Sequence, residues 1–400
     1  MKRLASLLLC LTILITPGCW NKVEINELAF IMAIGIDTAA GNSYLVSFQI
    51  AMPAGKGGEE AQGKTRNITL SFKSPNLREA AMQLNKTLDK APFTGQTRLV
   101  VFSEGLARQG LIPVMDYLTR FYRLRRNVNL LVTKGRAADL FQTGPSGGDV
   151  PALNLAQRVE ACNKWGLDEK ITVGNFTTKL ATGKIDPVIP GVEVLSGKTG
   201  EIRFPANQEE LAVRELAVFR GDRLQGWLDE EETRGYMYTT GKALRGHVTV
   251  PFKEKESFQL FLVKPKISEK VAVEDGQPVI KLKVTSDADL VEAAASLDSS
   301  PEKWHQIGPD ITAKAGEVVQ GEILSAVKKA QETYRSDIFG FGQLIYRDKP
   351  DLWRQISAEW QEEFPRVKVE VEADICLRRS SATVNPPYPS EDKERLPLGE

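Results

Sequence analysis

Histidine is almost missing from this chain of 400 residues, with His247 and His305 as the whole supply. That leaves little material for histidine-based catalysis or for a multi-histidine metal site. Net charge is missing as well. Lys plus Arg and Asp plus Glu both total 52, so nothing global draws the protein to nucleic acid or to an anionic surface, and any partner must be recognised locally. Cysteine numbers four. Cys10 lies in an apolar leader and Cys19 stands at its end. Cys162 and Cys376 are far apart and could pair in an oxidising compartment, but the expectation is two separate buried thiols. The composition is otherwise that of a globular protein, long enough for two or three domains.

The leader is specific. Lys2 and Arg3 precede an apolar run from Leu4 to Ile15, and Pro17-Gly18 supplies a turn and a small residue before Cys19. This reads as a signal peptide over residues 1–18. As a helix the run spans roughly 18 Å, too short to cross a hydrocarbon core of about 30 Å. A small residue directly before a cysteine at this position resembles the lipobox of bacterial lipoproteins, although Thr16 and Pro17 depart from the usual residues there. The resemblance implies a diacylglyceryl group on the Cys19 thiol and cleavage that leaves Cys19 as the mature N-terminus. Two acyl chains supply on the order of 20 kcal/mol of membrane attachment.

Past the anchor, ELAFIMAIGID and SYLVSFQIA read as strands around the turn TAAGN, with NITLSF as a third. Leu77, Ala81, Leu84 and Leu88 recur at helical spacing behind Ser74-Pro75. TRLVVF and NVNLLVT are buried strands on either side of the amphipathic segment LIPVMDYLTRFYRL. Periodicity breaks at FQTGPSGGDVP and again at LSGKTGEIRFPANQEE. Between these breaks lie a helix from about Leu153 to Trp165 and a few short strands. Beyond them ELAVFRGDRLQGWL is a hairpin turning at Gly221-Asp222, and HVTVPF, QLFLV, KISEKVAV and VIKLKVT argue for an antiparallel sheet. A long helix carrying Val319, Ile323, Val327, Ala330 and Tyr334 on one stripe is expected to cross that sheet. A second stripe joins Trp353, Ile356, Trp360 and Phe364, and VKVEVEADICL closes the domain. The expected fold class is α+β. It comprises an N-terminal domain over 19–142, a small middle domain over 143–205, a C-terminal domain over 206–378 with a sheet packed by a long helix, and a disordered tail over 379–400.

Three stretches look like chemistry and read better as structure. GEEAQGKT, residues 58 to 65, fits the phosphate-loop pattern, but the alternating RNITLSF follows where a helix is needed, and Glu59 and Glu60 would sit in the phosphate cradle. GPSGG, residues 144 to 148, fits a nucleophile elbow around Ser146, but a helical segment precedes it and Asp149, Val150 and Pro151 follow. LDEEETRG lacks the alternating oxygens of a calcium loop and reads as a solvated helix start that Arg234 can pair with. His247 reads as a half-exposed strand residue and His305 as a loop residue.

Four stretches together resemble one family. GCWNKVEINELAFIMAIGID, TRLVVFSEGLARQGLIPVMDYLTRFYRLRRN, GDRLQGWLDEEETRGYMY and QETYRSDIFGFGQLIYRDKPDLWRQISAEWQEEF resemble, in order, blocks of the Ger(x)C proteins, C subunits of nutrient germinant receptors in endospore-forming bacteria. The resemblance covers Gly18 to about Leu377. It implies three mixed α/β domains and a lipoprotein held through Cys19 on the outer face of the spore inner membrane. Two integral-membrane subunits, one of them transporter-like, are the implied partners. No enzyme activity, cofactor, nucleotide or nucleic acid is implied, and the covalent lipid on Cys19 is the one attached group. Trp20, Glu24, Asn26 and Glu27 match the family's opening motif, either as contacts to a membrane partner or as local capping and packing. Asp337, Gly340, Gly342 and Pro350 read as turn chemistry between helices, and Trp353 and Trp360 as core. The competing reading is an exported lipoprotein that captures a nutrient solute itself.

Overall fold

The computed structural model describes residues 23–52, 66–121, 124–142, 150–196, 198–199, 202–203, 209–253, 256–292 and 301–379. The leader with Cys19 and Trp20, the stretches GEEAQGKT and GPSGG, and the tail beyond Arg379 lie outside the described residues. In chain order the strands are β1 (Leu28–Ala39), β2 (Ser43–Met52), β3 (Arg66–Ser74), β4 (Ala91–Phe93), β5 (Leu99–Ser103), β6 (Asn129–Thr133), β7 (Val188–Ser196), β8 (Lys198–Thr199), β9 (Ile202–Arg203), β10 (Glu209–Arg220), β11 (Arg223–Leu228), β12 (Arg245–Lys253), β13 (Glu256–Glu274), β14 (Gln277–Glu292) and β15 (Lys368–Arg379). The helices are α1 (Leu77–Thr87), α2 (Glu104–Gln109), α3 (Ile112–Arg120), α4 (Ala137–Leu140), α5 (Pro151–Trp165), α6 (Val173–Thr182), α7 (Glu230–Thr239), α8 (Pro301–Lys328), α9 (Phe341–Asp348), α10 (Pro350–Ile356) and α11 (Trp360–Glu363).

The fold is α+β, built on two large sheets. The first runs β11-β10-β7-β6-β5-β1-β2-β3, with β4 added beside β1. Its centre is parallel: β1 pairs β5, β5 pairs β6 and β6 pairs β7 in one direction, while β2, β3, β10 and β11 run antiparallel to their neighbours. Central parallel strands are covered on both faces, which is why LVVFS and NLLVT are apolar runs, each buried from end to end. One face packs against α1, α3 and α6, and the other against α4 and α5. The sheet takes strands from all three of the segments expected from the sequence breaks, because β10 and β11 extend it from beyond residue 205.

A bulge in β1 corrects the simple alternation of ELAFIMAIGID. The register slips between Ile31 and Ala33, so Ile31 and Ile34 reach one core while Met32 and Ala33 reach the other. The extra residue is used. Met32 O accepts from Arg98 N at 2.8 Å and Ile31 O from Thr97 Oγ1 at 2.9 Å.

The second sheet is β12-β13-β14-β15, antiparallel except for the β14/β15 pair. QLFLV and KISEKVAV, expected as separate strands, are one 19-residue strand. Its register slips between Val263 and Lys266 and Lys264 takes φ +50°, so a bulge rather than a turn explains the break in pattern. The long helix α8 lies on this sheet as its stripe predicts, with Val319, Ile323 and Val327 buried. It begins at Pro301, so His305 is helical, not in a loop. Past Lys328 it widens into a π-turn at Lys329–Tyr334, where the Tyr334 hydroxyl accepts from Trp227 N at 3.0 Å and donates to Trp227 O at 2.7 Å.

Other expectations are revised locally. The cap of α1 is Asn76, accepting from Glu79 N at 2.9 Å, rather than Ser74-Pro75. Between the two sequence breaks a second helix, α6, follows α5. DLWRQISAEWQEEF is a chain of short helical turns instead of one helix, although Trp353, Trp360 and Phe364 are buried as expected. Cys162 is half-buried and Cys376 exposed, both as free thiols.

Candidate functional site

The described chain begins beside its expected anchor. Val23 and Ile25 are exposed, and Ile25–Glu27 forms a single 3-10 turn leading into β1. Glu27 N donates to Glu24 O at 3.0 Å, and Glu24 N donates to Glu27 Oε2 at 3.2 Å. The two acids thus close the turn on itself. Asn26 is exposed and makes no hydrogen bond among the described residues. Val23 is four residues on from Cys19, a reach of at most about 14 Å.

Three buried polar clusters carry the electrostatics that usually marks an active site. In the first, Asp337 accepts from the N–H groups of Gly340 (2.8 Å), Phe341 (2.9 Å) and Gly342 (2.7 Å) and from Trp360 Nε1 (3.1 Å). Asp186 meets the same loop, accepting from Asp337 N at 3.0 Å and from Gly221 N at 2.7 Å. Burial, with Asp186 adding to it, pushes the Asp337 carboxyl up to about 7 against the pull of its N–H donors. In the second, Glu169 accepts from the Tyr236 hydroxyl and from Lys242 Nζ, with Lys179 Nζ at 3.9 Å. Burial opposes the charge on Glu169, but Lys179, Lys242 and Tyr236 outweigh it and hold the carboxyl low. Burial brings Lys179 down to about 8 and pushes the adjacent Asp168 well up. In the third, Arg234 reaches Glu322 through Nε at 3.0 Å and Nη2 at 2.6 Å, and Glu230 through Nη1 at 3.3 Å.

These clusters are staples. Each joins segments distant in the chain: the loop after α6 to the β10/β11 turn and the α9 entrance, the loop after α5 to α7, and α7 to α8. All donors around Asp337 are fixed backbone or ring N–H groups, which satisfy a carboxyl and offer no reacting atom a place. The sequence pattern marks Asp337 as turn chemistry but does not single out Asp186, Glu169 or Lys179. Glu322, a carboxylate adjoining the apolar stripe of α8, is the one of these partners with a visible signal.

The carboxylate run at 229–232 does begin a helix. Asp229 accepts from Glu232 N at 2.9 Å, and Asp229 N donates to Glu232 Oε2 at 3.0 Å. Glu232 is buried rather than solvated and lies 3.4 Å from Lys329 Nζ. His247 is exposed on β12 with its ring edge-on to Phe261. Among the described residues no group of His, Cys, Asp and Glu is placed to hold a metal ion, and no helix is long and apolar enough to cross a membrane.

A cavity of about 320 Å³ opens between α1 and α3. Phe48, Leu84, Leu118 and Leu124 line its floor, with Arg78 and Thr94 at its margin. Thr94 Oγ1 is buried without a hydrogen-bond partner. The space suits a small apolar molecule with one polar end.

Comparison with known proteins gives a consistent set. The spore germination protein N-terminal domain matches residues 21–194, and the C-terminal domain described as spore germination B3/GerAC-like matches residues 214–381. Spore germination protein KC of Bacillus subtilis (strain 168) is 26% identical over 402 residues, covering 96% of this chain and 97% of the relative. Spore germination protein B3 of the same organism is 23% identical over 353 residues, covering 87% and 90%. Spore germination protein A3, also from that strain, is 22% identical over 396 residues, covering 93% and 96%. The crystal structure of the GerBC protein superposes with a TM-score of 0.56 at 17% identity, over 86% of this chain and 96% of that one, and shows the shared fold.

Proposed function

The chain belongs to the Ger(x)C family of spore germination proteins, with the family's N- and C-terminal domains in order, and from that membership we propose that it is a lipid-anchored, non-enzymatic subunit of a nutrient germinant receptor. In this reading Cys19 carries a diacylglyceryl group and holds the folded chain on the outer face of the spore inner membrane. Its partners are two integral-membrane subunits, one of them transporter-like, and its role is in receptor assembly and the triggering of germination. No cofactor beyond the covalent lipid is required.

The observation that carries this is the position of the leader. A leader whose apolar run, Leu4 to Ile15, is followed by Gly18-Cys19 ends two residues ahead of a family match that begins at residue 21. The short reach from Cys19 to Val23 keeps the 3-10 turn at the membrane surface. There Trp20 and Asn26 are candidates to touch a membrane-embedded partner, while Glu24 and Glu27 hold the turn that presents them. Assembling a complex with Trp20→Ala and Asn26→Ala at normal yield would remove that contact role.

The anchor is tested by the mass of the N-terminal peptide from the native membrane fraction. The expected peptide starts at Cys19 with an added diacylglyceryl group, and Cys19→Ala should release the chain from the membrane and deplete the receptor complex. An unmodified N-terminus beyond Cys19 would overturn the anchor. The cavity between α1 and α3, with its unpaired Thr94 hydroxyl, favours a second reading in which the chain binds a solute itself. A solute at 100 times its Kd would then raise stability by about 2.7 kcal/mol.

A further inference from the structure

Charge sums to zero over this chain but is not spread evenly over its surface. Parallel pairing places the starts of β5 and β6 at one end of the large sheet, the end from which β1 enters. Arg98 immediately precedes β5, and Arg125 and Arg126 precede β6. A bridge between Asn129 and Thr172 brings Lys170 to the same end. Arg98, Arg125 and Lys170 line a cleft of about 270 Å³ there, together with Asn129. Glu160, paired to Lys170, is the one carboxylate among the residues that line it. The side chains of Arg98 and Arg125 make no ion pair or hydrogen bond among the described residues. Asn129 is only 5% exposed, and its Oδ1 has no partner. Such an unpaired buried amide marks a site that a ligand or water completes.

An apolar patch is carried by the stretch of chain between Glu160 and Lys170, both of which line the cleft. Trp165, Leu167 and Leu244 are 47%, 52% and 51% exposed. They meet because Gly166, with φ +70°, packs against the Leu244–Arg245 backbone, where a Cβ would come within 2.7 Å of Arg245 O. The Arg245 guanidinium lies over the Trp165 ring at 4.7 Å. A tryptophan and leucines with an arginine over the ring match the water–hydrocarbon interface of a bilayer, where aromatic rings sit at headgroup level and basic side chains meet anionic lipid. Val23 and Ile25, exposed ahead of β1, leave the fold at this same end, toward Cys19.

We propose that this end of the molecule lies flat on the bilayer, with Arg98, Arg125 and Lys170 drawing anionic phospholipid headgroups into the cleft while Trp165, Leu167 and Leu244 enter the interface beside it. The inference rests on the lipid tether and adds the face that the tether presents to the membrane. It also fixes the opposite end of the sheet, at the close of β1, away from the lipid.

The test uses the lipidated full chain on vesicles carrying bromine-labelled acyl chains, either neutral or containing an anionic phospholipid, with tryptophan fluorescence as the readout. Attachment to neutral vesicles tests the tether by itself. Quenching is expected to be stronger on anionic vesicles. Trp165→Phe should remove that difference, and Arg98→Glu with Arg125→Glu should return quenching to the neutral-vesicle level with Tm unchanged. Attachment without any Trp165-dependent quenching would overturn the proposed face and leave the tether standing, and would direct the basic cleft to an acidic protein surface instead. Loss of the effect on adding millimolar glycerol phosphate would also overturn it, by making a free phosphate compound the ligand.

Discussion

Asp337 is held by four N–H donors and shares its loop with Asp186, so one side chain fixes the junction of both sheets. Asp337→Asn turns an amide N–H₂ toward donors already pointing inward, and the expected loss is about 2–4 kcal/mol by urea unfolding. The sign of its pH dependence follows from burial. The folded carboxyl, raised from 3.8 to about 7, keeps a proton that the unfolded chain releases between those values. Its contribution is therefore full below pH 4 and is lost as pH rises through 7. The stability difference between wild type and Asp337→Asn should shrink from pH 4 to pH 7. A difference that stays flat over that range would show that the carboxyl is already ionised in the fold. Sequence reading identified this residue as a turn former because Asp-x-x-Gly is local chemistry. It did not identify Asp186, whose partner lies 151 positions away.

Elements meet at close contacts that a pattern of apolar residues does not specify. The helix α7 crosses α8 at Gly235, where a Cβ would stand 2.1 Å from Glu322 O and 2.5 Å from its carbonyl carbon. The obstacle is backbone, so Gly235→Ala must push the helices apart. That separation also strains the Arg234–Glu322 pair, whose acceptor is almost fully buried. The expected cost is about 2–4 kcal/mol, measured as a lower midpoint in thermal or urea unfolding, against near neutrality for Gly321→Ala, which has open space. Long periodic elements such as α5 and α8 were legible because one face must be apolar for the helix to pack at all. The bulges at Ile31–Ala33 and Val263–Lys266 were not, because a slipped residue disguises one strand as two or mixes its two faces.

At the scale of the whole molecule, the first sheet is finished by a hairpin from far down the chain. The strand β10 pairs β7 from Glu209↔Ser196 to Val218↔Val188, and β11 closes the edge. A fragment ending at residue 205 would expose the β7 edge and the apolar face of Leu216, Val218 and Phe219's partners, and is expected to aggregate. A fragment ending at residue 229 keeps the hairpin and should be more soluble, as size-exclusion chromatography of the two would show. What the sequence determined by itself was local or ordered along the chain: the α+β class, the main strands and helices, and the family, whose blocks keep their order. Tertiary structure alone decided which strands share a sheet, which carboxylates are buried as staples, and that a chain of no net charge gathers Arg98, Arg125, Lys170 and Arg245 at one end. The physical reason is that burial and field depend on neighbours brought together by folding, and parallel strands collect their starting residues at one edge however far apart they lie in the sequence.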